Sequence, residues 1–112
     1  MKKPSCVPDR GDTVWLQFNP QSGHEKAGHR PALVLSPTNY NRASGLMLGC
    51  PMTSQKKGYP FEVVINDAPQ RTSVVLADQV KSLDWKTRKA VKNGTASLSV
   101  IMETLSKLQT LL

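Results

Sequence analysis

A chain of 112 residues has room for one domain with a core of its own, so residues 1–112 are read as a single domain that needs neither disulfide nor metal to hold it. Fifteen Lys and Arg against eight Asp and Glu leave a net charge of +7, a balance that favours polyanions or acidic protein partners. No run approaches the ~18 apolar residues of a membrane span, and Pro4, Ser5, Pro8, Asp9 and Arg10 stand where a secretory leader would be apolar, so a cytoplasmic protein with no membrane association is expected.

The apolar periodicity predicts several short strands and one terminal helix. From Thr13 to Phe18, Val14, Leu16 and Phe18 alternate with Thr13 and Gln17, a strand with one buried face and Trp15 on the other. Asn19-Pro20 ends it, and the polar stretch from Gln21 to His29, with two glycines, reads as a mobile loop. Ala32 to Ser36 is a second strand closed by Pro37, and Leu46 to Cys50, running through Pro51 into Thr53, is a third. Phe61 to Ile65 and Ser73 to Ala77 give two more, and Ala90 to Ala96 contains Asn93-Gly94, a tight-turn signal. From Leu98 the spacing changes. Leu98, Ile101, Leu105, Leu108 and Leu112 recur at three and four, one face of a helix, and Ser97 is placed to cap its first turn. Short strands followed by one helix predict a mainly β fold, a small barrel-like sheet covered by a C-terminal helix.

Little of this sequence can hold a metal. His24 and His29 are five apart in a loop, the two cysteines have no neighbouring ligands, and no metal or other cofactor is expected. Cys6 and Cys50 are too few for a disulfide framework and are read as reduced and structural; Cys50, in an apolar run, lacks the electropositive surroundings of a nucleophile. Two segments concentrate reactive groups. Gly23 to Pro31 packs His24, Glu25, His29 and Arg30 into a loop that leads into a strand, and Pro31 favours an extended chain at Arg30. Pro51 to Gly58 follows a strand with Thr53, Ser54, Gln55, Lys56 and Lys57. Read alone, a solvated charged loop explains each segment at least as well as a site.

A resemblance over nearly the whole chain decides between these readings. His29-Arg30-Pro31-Ala32-Leu33-Val34-Leu35-Ser36-Pro37, then Tyr40-Asn41, then Pro51-Met52-Thr53-Ser54, resembles the signature of the MazF/PemK family of toxin endoribonucleases. Gly11-Asp12 with Trp15, and Asn19-Pro20 with Gly23-His24-Glu25, fit the same pattern. Lys57 to Val64 and Ala77 to Ser82 look most like the MazF branch. The resemblance implies an SH3-like small barrel assembled as a homodimer. It implies a toxin that cleaves single-stranded RNA, usually mRNA, at short motifs without a metal, arresting translation and growth, and an acidic antitoxin that covers its RNA groove.

Carried onto this sequence, the catalytic Arg before Pro is Arg30 and the catalytic Thr of the Pro-x-Thr motif is Thr53. His24 and Glu25 fall at positions that assist cleavage in one branch or another. The RNA-binding set implied is His29, Ser54, Gln55, Lys56, Lys57, Asp78, Gln79 and Lys81. Asp78 matches an acidic position of the PemK branch, but that branch carries an Arg two residues earlier where this chain has Leu76, so the Arg–Asp pair is broken. The expected chemistry is attack of the ribose 2′-OH on its own phosphorus, leaving a 2′,3′-cyclic phosphate and a 5′-OH. Two other readings of the same chain are a gyrase-poisoning toxin on a related barrel and a nucleic-acid-binding barrel without catalysis.

Overall fold

The computed structural model describes residues 7–17, 29–68 and 71–112. Among these the chain forms seven strands, two α-helices and one 3-10 turn. In chain order they are β1 (Asp12–Gln17), β2 (His29–Val34), α1 (Thr38–Ser44), β3 (Leu46–Thr53), β4 (Glu62–Ala68), β5 (Arg71–Leu76), the turn Ala77–Gln79, β6 (Lys81–Asp84), β7 (Val91–Thr95) and α2 (Leu98–Gln109). The strands pair antiparallel in the order β4-β5-β3-β2-β1-β7, with β6 also on β3.

The eight-residue β3 organises the sheet. On one edge it meets β2 through Ala32–Pro51, Leu33–Cys50 and Val34–Gly49. On the other edge it is shared: β6 covers Leu46 to Gly49 and β5 covers Met52 and Thr53. The chain from β5 to β6 thus runs along a single edge of β3 and breaks into the 3-10 turn opposite Cys50 and Pro51. That break has a local cause. The Leu35 N–H donates to Leu48 O at 2.8 Å, so in this register Pro51 turns its nitrogen away from β2 and toward the gap. A proline cannot donate to a ladder, and there the ladder is absent.

Side-chain alternation divides the core into two layers. Leu33, Cys50, Met52, Val63, Ile65 and Val75 lie beneath α2, against Val100, Ile101, Leu105 and Leu108. Ala32, Val34 and Met47 face the opposite way, into a cluster with Val14, Leu16, Leu83 and Trp85. Strands buried on both faces read as near-continuous apolar runs, as β2 and β3 do in the sequence. Each fully buried Leu16, Leu33 or Met47 contributes roughly 1.5–3 kcal/mol. Gly11 permits the close approach of α2: its φ is +96°, and a Cβ there would stand 2.8 Å from Ile101 Cδ1.

The mainly β fold with a C-terminal helix is what the chain builds, and Ser97 caps α2 by accepting the Val100 N–H at 3.3 Å. Several expectations are corrected. Asn93-Gly94 makes no hairpin turn. It lies inside β7, where Thr13 pairs with Gly94 and Val14 with Lys92, so Asn93 is the extra residue of a β-bulge. The apolar stripe of α2 includes Val100 and excludes its two ends, since Leu98 is 72% and Leu112 93% exposed. Thr13, expected on the open face of β1, is buried.

Three elements carry no signal in the sequence: β6, the 3-10 turn, and α1, which is held by a single buried residue. The Asn41 side chain donates through Nδ2 to Pro8 O (2.7 Å) and Ser36 O (3.0 Å) and accepts through Oδ1 from Ser36 Oγ (2.6 Å), while its backbone carbonyl accepts from Trp85 Nε1 (2.9 Å). Every polar atom of that side chain is satisfied, as burial requires. Phe18, the Asn19-Pro20 stop and most of the Gln21–His29 stretch lie outside the described residues, as does Cys6. No helix among the described residues is long and apolar enough to cross a membrane.

Candidate active site

The β2–β3 register creates the site. Two residues beyond the last pair, Ala32–Pro51, the same alignment sets Arg30 across from Thr53, on the face away from Leu33 and Cys50. Arg30 is still within β2, paired to Leu16 of β1, and Thr53 is the last residue of β3. Residues 23 apart in sequence thereby come to one groove on two strands that the core fixes. Both line two adjoining clefts, of about 420 Å³ and about 380 Å³. Together these make one open groove that passes over Arg30 and Thr53.

The larger cleft is the charged one. Arg30, Lys57 and Lys81 line it with Asp78, Gln79, Gln55 and Thr53, so seven expected site residues converge here. Asp78 and Gln79 arrive on the 3-10 turn, and Lys81 opens β6. This is the break opposite Pro51, so the proline that ends the ladder also brings the turn into the groove. The Arg30 side chain makes no hydrogen bond or ion pair with any described residue, which leaves its planar fork open to an anion. Thr53 Oγ1 accepts the Gln55 N–H at 3.2 Å, so its own O–H remains a donor.

The expected residues do not all gather. Ser54 lines the smaller cleft, on the far side of Thr53. Lys56 is exposed on the same loop but lines neither cleft. His29 is exposed at the start of β2, with its ring 5.6 Å from that of Trp15 at 32°. His24 and Glu25 lie outside the described residues. Leu76 lines the charged cleft beside Asp78, where the PemK-like pattern would place an Arg.

Cys50 lies under the turn, its Sγ 3.9 Å from Ala77 O. Burial, with a smaller contribution from the Asp78 charge, pushes its thiol up to about 12, so it holds its proton and takes no part as a nucleophile. Among the described residues no three His, Cys, Asp or Glu side chains are grouped to hold a metal ion.

Sequence reasoning missed Glu62, the residue that shapes the loop. Glu62 is 7% exposed, and its carboxylate accepts the Lys57 N–H (3.1 and 3.3 Å) and the Gly58 N–H (2.9 Å). Gly58 has φ +84°, which lets consecutive N–H groups converge on one anion. From α2, Lys107 Nζ grips Glu62 O at 2.9 Å and pairs with Glu103 at 3.2 Å. The signal available was a glycine followed four residues later by an acid at a strand start. Tyr59, Phe61, Trp15 and Asn93 also line the groove, and none of them stood out from the sequence as a site residue.

The fold and groove define a class: a small curled β-barrel under a C-terminal helix, with an open basic groove crossed by an Arg–Thr pair. A family model of PemK-like, MazF-like toxins of type II toxin–antitoxin systems matches residues 9–112, and the chain belongs to this family. It is 55% identical over 91 residues to the endoribonuclease toxin MazF of Escherichia coli K12, covering 81% of each chain. It is 36% identical over 107 residues to the endoribonuclease toxin ChpB of the same strain, covering 90% of each. Its structure matches that of MazF from Deinococcus radiodurans with a TM-score of 0.84 at 51% identity, covering 96% of this chain and 97% of that one. A chain of the MazE–MazF crystal structure from D. radiodurans matches equally, with a TM-score of 0.84 at 47% identity and 96% of each chain covered.

Proposed function

We propose that this chain is the toxin of a type II toxin–antitoxin pair, a sequence-specific endoribonuclease that cuts single-stranded mRNA without a metal and so arrests translation and growth. The observation that carries the reading is that Arg30 and Thr53 line the same two clefts, just beyond the last β2–β3 pair, in a groove that Lys57 and Lys81 make basic. In the reaction the ribose 2′-oxygen bonds to phosphorus, the bond from phosphorus to the 5′-oxygen breaks, the 2′-OH proton passes to a base, and an acid protonates the leaving 5′-oxygen. The products are a 2′,3′-cyclic phosphate and a 5′-OH.

Arg30 stabilises the charge that builds on the phosphoryl oxygens, since a guanidinium is a planar cation that binds two oxygens at once. Thr53 donates its hydroxyl to the same phosphate. Arg30 is a poor base for the same reason that it is a good cation. The proton transfers fall to His24, Glu25 or His29, since imidazole and carboxylate are the side chains most used for general acid–base work. Gln55, Lys57, Asp78, Gln79 and Lys81 hold the strand, with Ser54 in the smaller cleft and Lys56 beside the groove. Asp78, without an Arg at Leu76, serves RNA binding and not proton transfer.

Residues 1–112 act as one domain and pair into a homodimer that works in the cytoplasm, where mRNA is found. The antitoxin's carboxylates imitate phosphates toward Arg30 and the lysines, and its tail folds as it binds, so RNA and antitoxin exclude one another. Incubation of the protein with a long single-stranded RNA in EDTA, with the fragment ends sequenced, tests the reading. Discrete fragments bearing cyclic phosphates support it. Intact RNA together with inhibited gyrase supercoiling would replace it with the gyrase-poison reading.

A further inference from the structure

The two clefts that meet at Arg30 and Thr53 differ in chemistry. The larger carries Arg30, Lys57, Lys81, Asp78 and Glu62. The smaller has Arg30 as its one charged lining residue, and Trp15, Ser54, Ser73 and Asn93 are among the others. A charged cleft suits the sugar–phosphate strand. A neutral cleft with an aromatic wall and a carboxamide suits a base.

We propose that the smaller cleft is a nucleobase subsite, in which one of the two bases flanking the scissile phosphate stacks on Trp15 and is read on its edge by Asn93. This rests on the nuclease reading and adds to it the origin of sequence preference at that position. Three observations carry it. First, Asn93 is the extra residue of the β7 bulge, between the pairs Thr13–Gly94 and Val14–Lys92. A bulge re-aims a side chain that regular pairing would alternate away, and bulges occur beside active sites for that reason. Second, the side chains of Ser54, Ser73 and Asn93 make no hydrogen bond to any other described residue, so their donors and acceptors are open to a ligand. A carboxamide sets a donor next to an acceptor and can bind two adjacent atoms of a base edge. Third, Trp15 is half-buried on β1 and braced by the His29 ring at 5.6 Å, which holds an indole face in a fixed orientation. Single-stranded RNA is bound by stacking on aromatic faces and by hydrogen bonds to the exposed base edges.

The test compares the wild type with Asn93→Ala and Asn93→Asp on a pool of RNAs of random sequence, sequencing the cut ends. Asn93 is exposed, so both variants should fold, and circular dichroism checks that they do. Asn93→Ala should lower discrimination at one position adjoining the cut by roughly tenfold and leave the other motif positions as they are. Asn93→Asp, which replaces the donor with a second acceptor, should move the preferred base and not merely relax it. In parallel, an uncleavable RNA with a 2′-deoxy nucleotide at the cut should quench tryptophan fluorescence. Trp85 is 5% exposed, so the quench reports on Trp15 and should vanish in Trp15→Phe. Wild-type cleavage with an unchanged motif in both Asn93 variants would overturn the subsite while leaving the nuclease standing. A wild type that cuts no RNA would overturn the nuclease and the subsite with it.

Discussion

Replacing Glu62 by alanine removes the anion around which the 54–61 loop is wound. Two backbone donors, from Lys57 and Gly58, lose a charged acceptor. Hydrogen bonds to charged groups contribute about 1.5–3 kcal/mol each when shielded, but Lys57 and Gly58 are exposed, so water takes over the released N–H groups and about 1 kcal/mol of each is lost. A total loss of about 2 kcal/mol follows, which for a domain of this size lowers Tm by roughly 8–12 °C. Glu62→Gln keeps the shape and one carbonyl acceptor and should lose about half as much, on the order of 1 kcal/mol.

The consequence for activity is selective. Arg30 and Thr53 stand on strands that the loop does not support, whereas Gln55 and Lys57 ride on the loop itself. KM for a short RNA should rise about fivefold, the equivalent of one lost neutral contact near 1 kcal/mol, with kcat nearly unchanged. Thermal unfolding by circular dichroism and steady-state cleavage of a fluorogenic RNA read the two effects. An unchanged Tm, or a kcat that falls while KM holds, would refute the loop argument.

Arg30→Ala should slow single-turnover cleavage at least ~100-fold, the scale of losing one positioned charge stabiliser; Arg30→Lys should also be poor because a point charge cannot bind two oxygens at once. Thr53→Ala should lose less, as its contribution is one neutral hydrogen bond, and an equal or greater loss in that variant would reverse the assigned roles. In a Cys6→Ser background, Cys50 should resist iodoacetamide at pH 8 until the protein unfolds, since its thiol titrates at about 12; rapid labelling of folded protein would contradict its burial. The Thr38 side chain and the Arg10 N–H hold the Asp9 carboxyl below its usual 3.8, and the Thr87 N–H does the same for Asp84. A carboxyl whose folded pKa is depressed stabilises the fold above its unfolded value and loses that contribution as pH falls through the folded one. The urea midpoint should therefore be flat near neutrality and fall below about pH 4, with a smaller fall in Asp9→Asn; an identical acid limb in that variant would count against it.

What the sequence disclosed follows from which residues carry periodic information. Val14 and Leu16 alternate, the run Leu46 to Thr53 is apolar on both faces, and Ser97 precedes a three-and-four spacing, so β1, β3 and α2 are legible in the sequence. The seven-residue α1 buries only Asn41, and the four-residue β6 only Leu83, too little to leave a period. Asn93-Gly94 has the chemistry of a turn and of a bulge alike, and the partner strand β1 decides between them. At the site, Arg30 and Thr53 were named through a family resemblance, but their placement in one groove depends on a register fixed by buried pairs such as Leu33–Cys50. Glu62 and Asn93 carry no motif, because their parts are defined only by what folds against them.

Cleavage of a short RNA containing the preferred motif, with the single 2′-hydroxyl at the scissile nucleotide replaced by hydrogen, decides whether that hydroxyl is the nucleophile. The protein should bind this substrate about as tightly as the all-ribose RNA and leave it uncut in EDTA, while the all-ribose RNA yields a 2′,3′-cyclic phosphate and a 5′-OH. Cutting of the deoxy substrate at the normal rate would show that water and not the neighbouring hydroxyl is the nucleophile, and the mechanism built on Arg30 and Thr53 would be wrong.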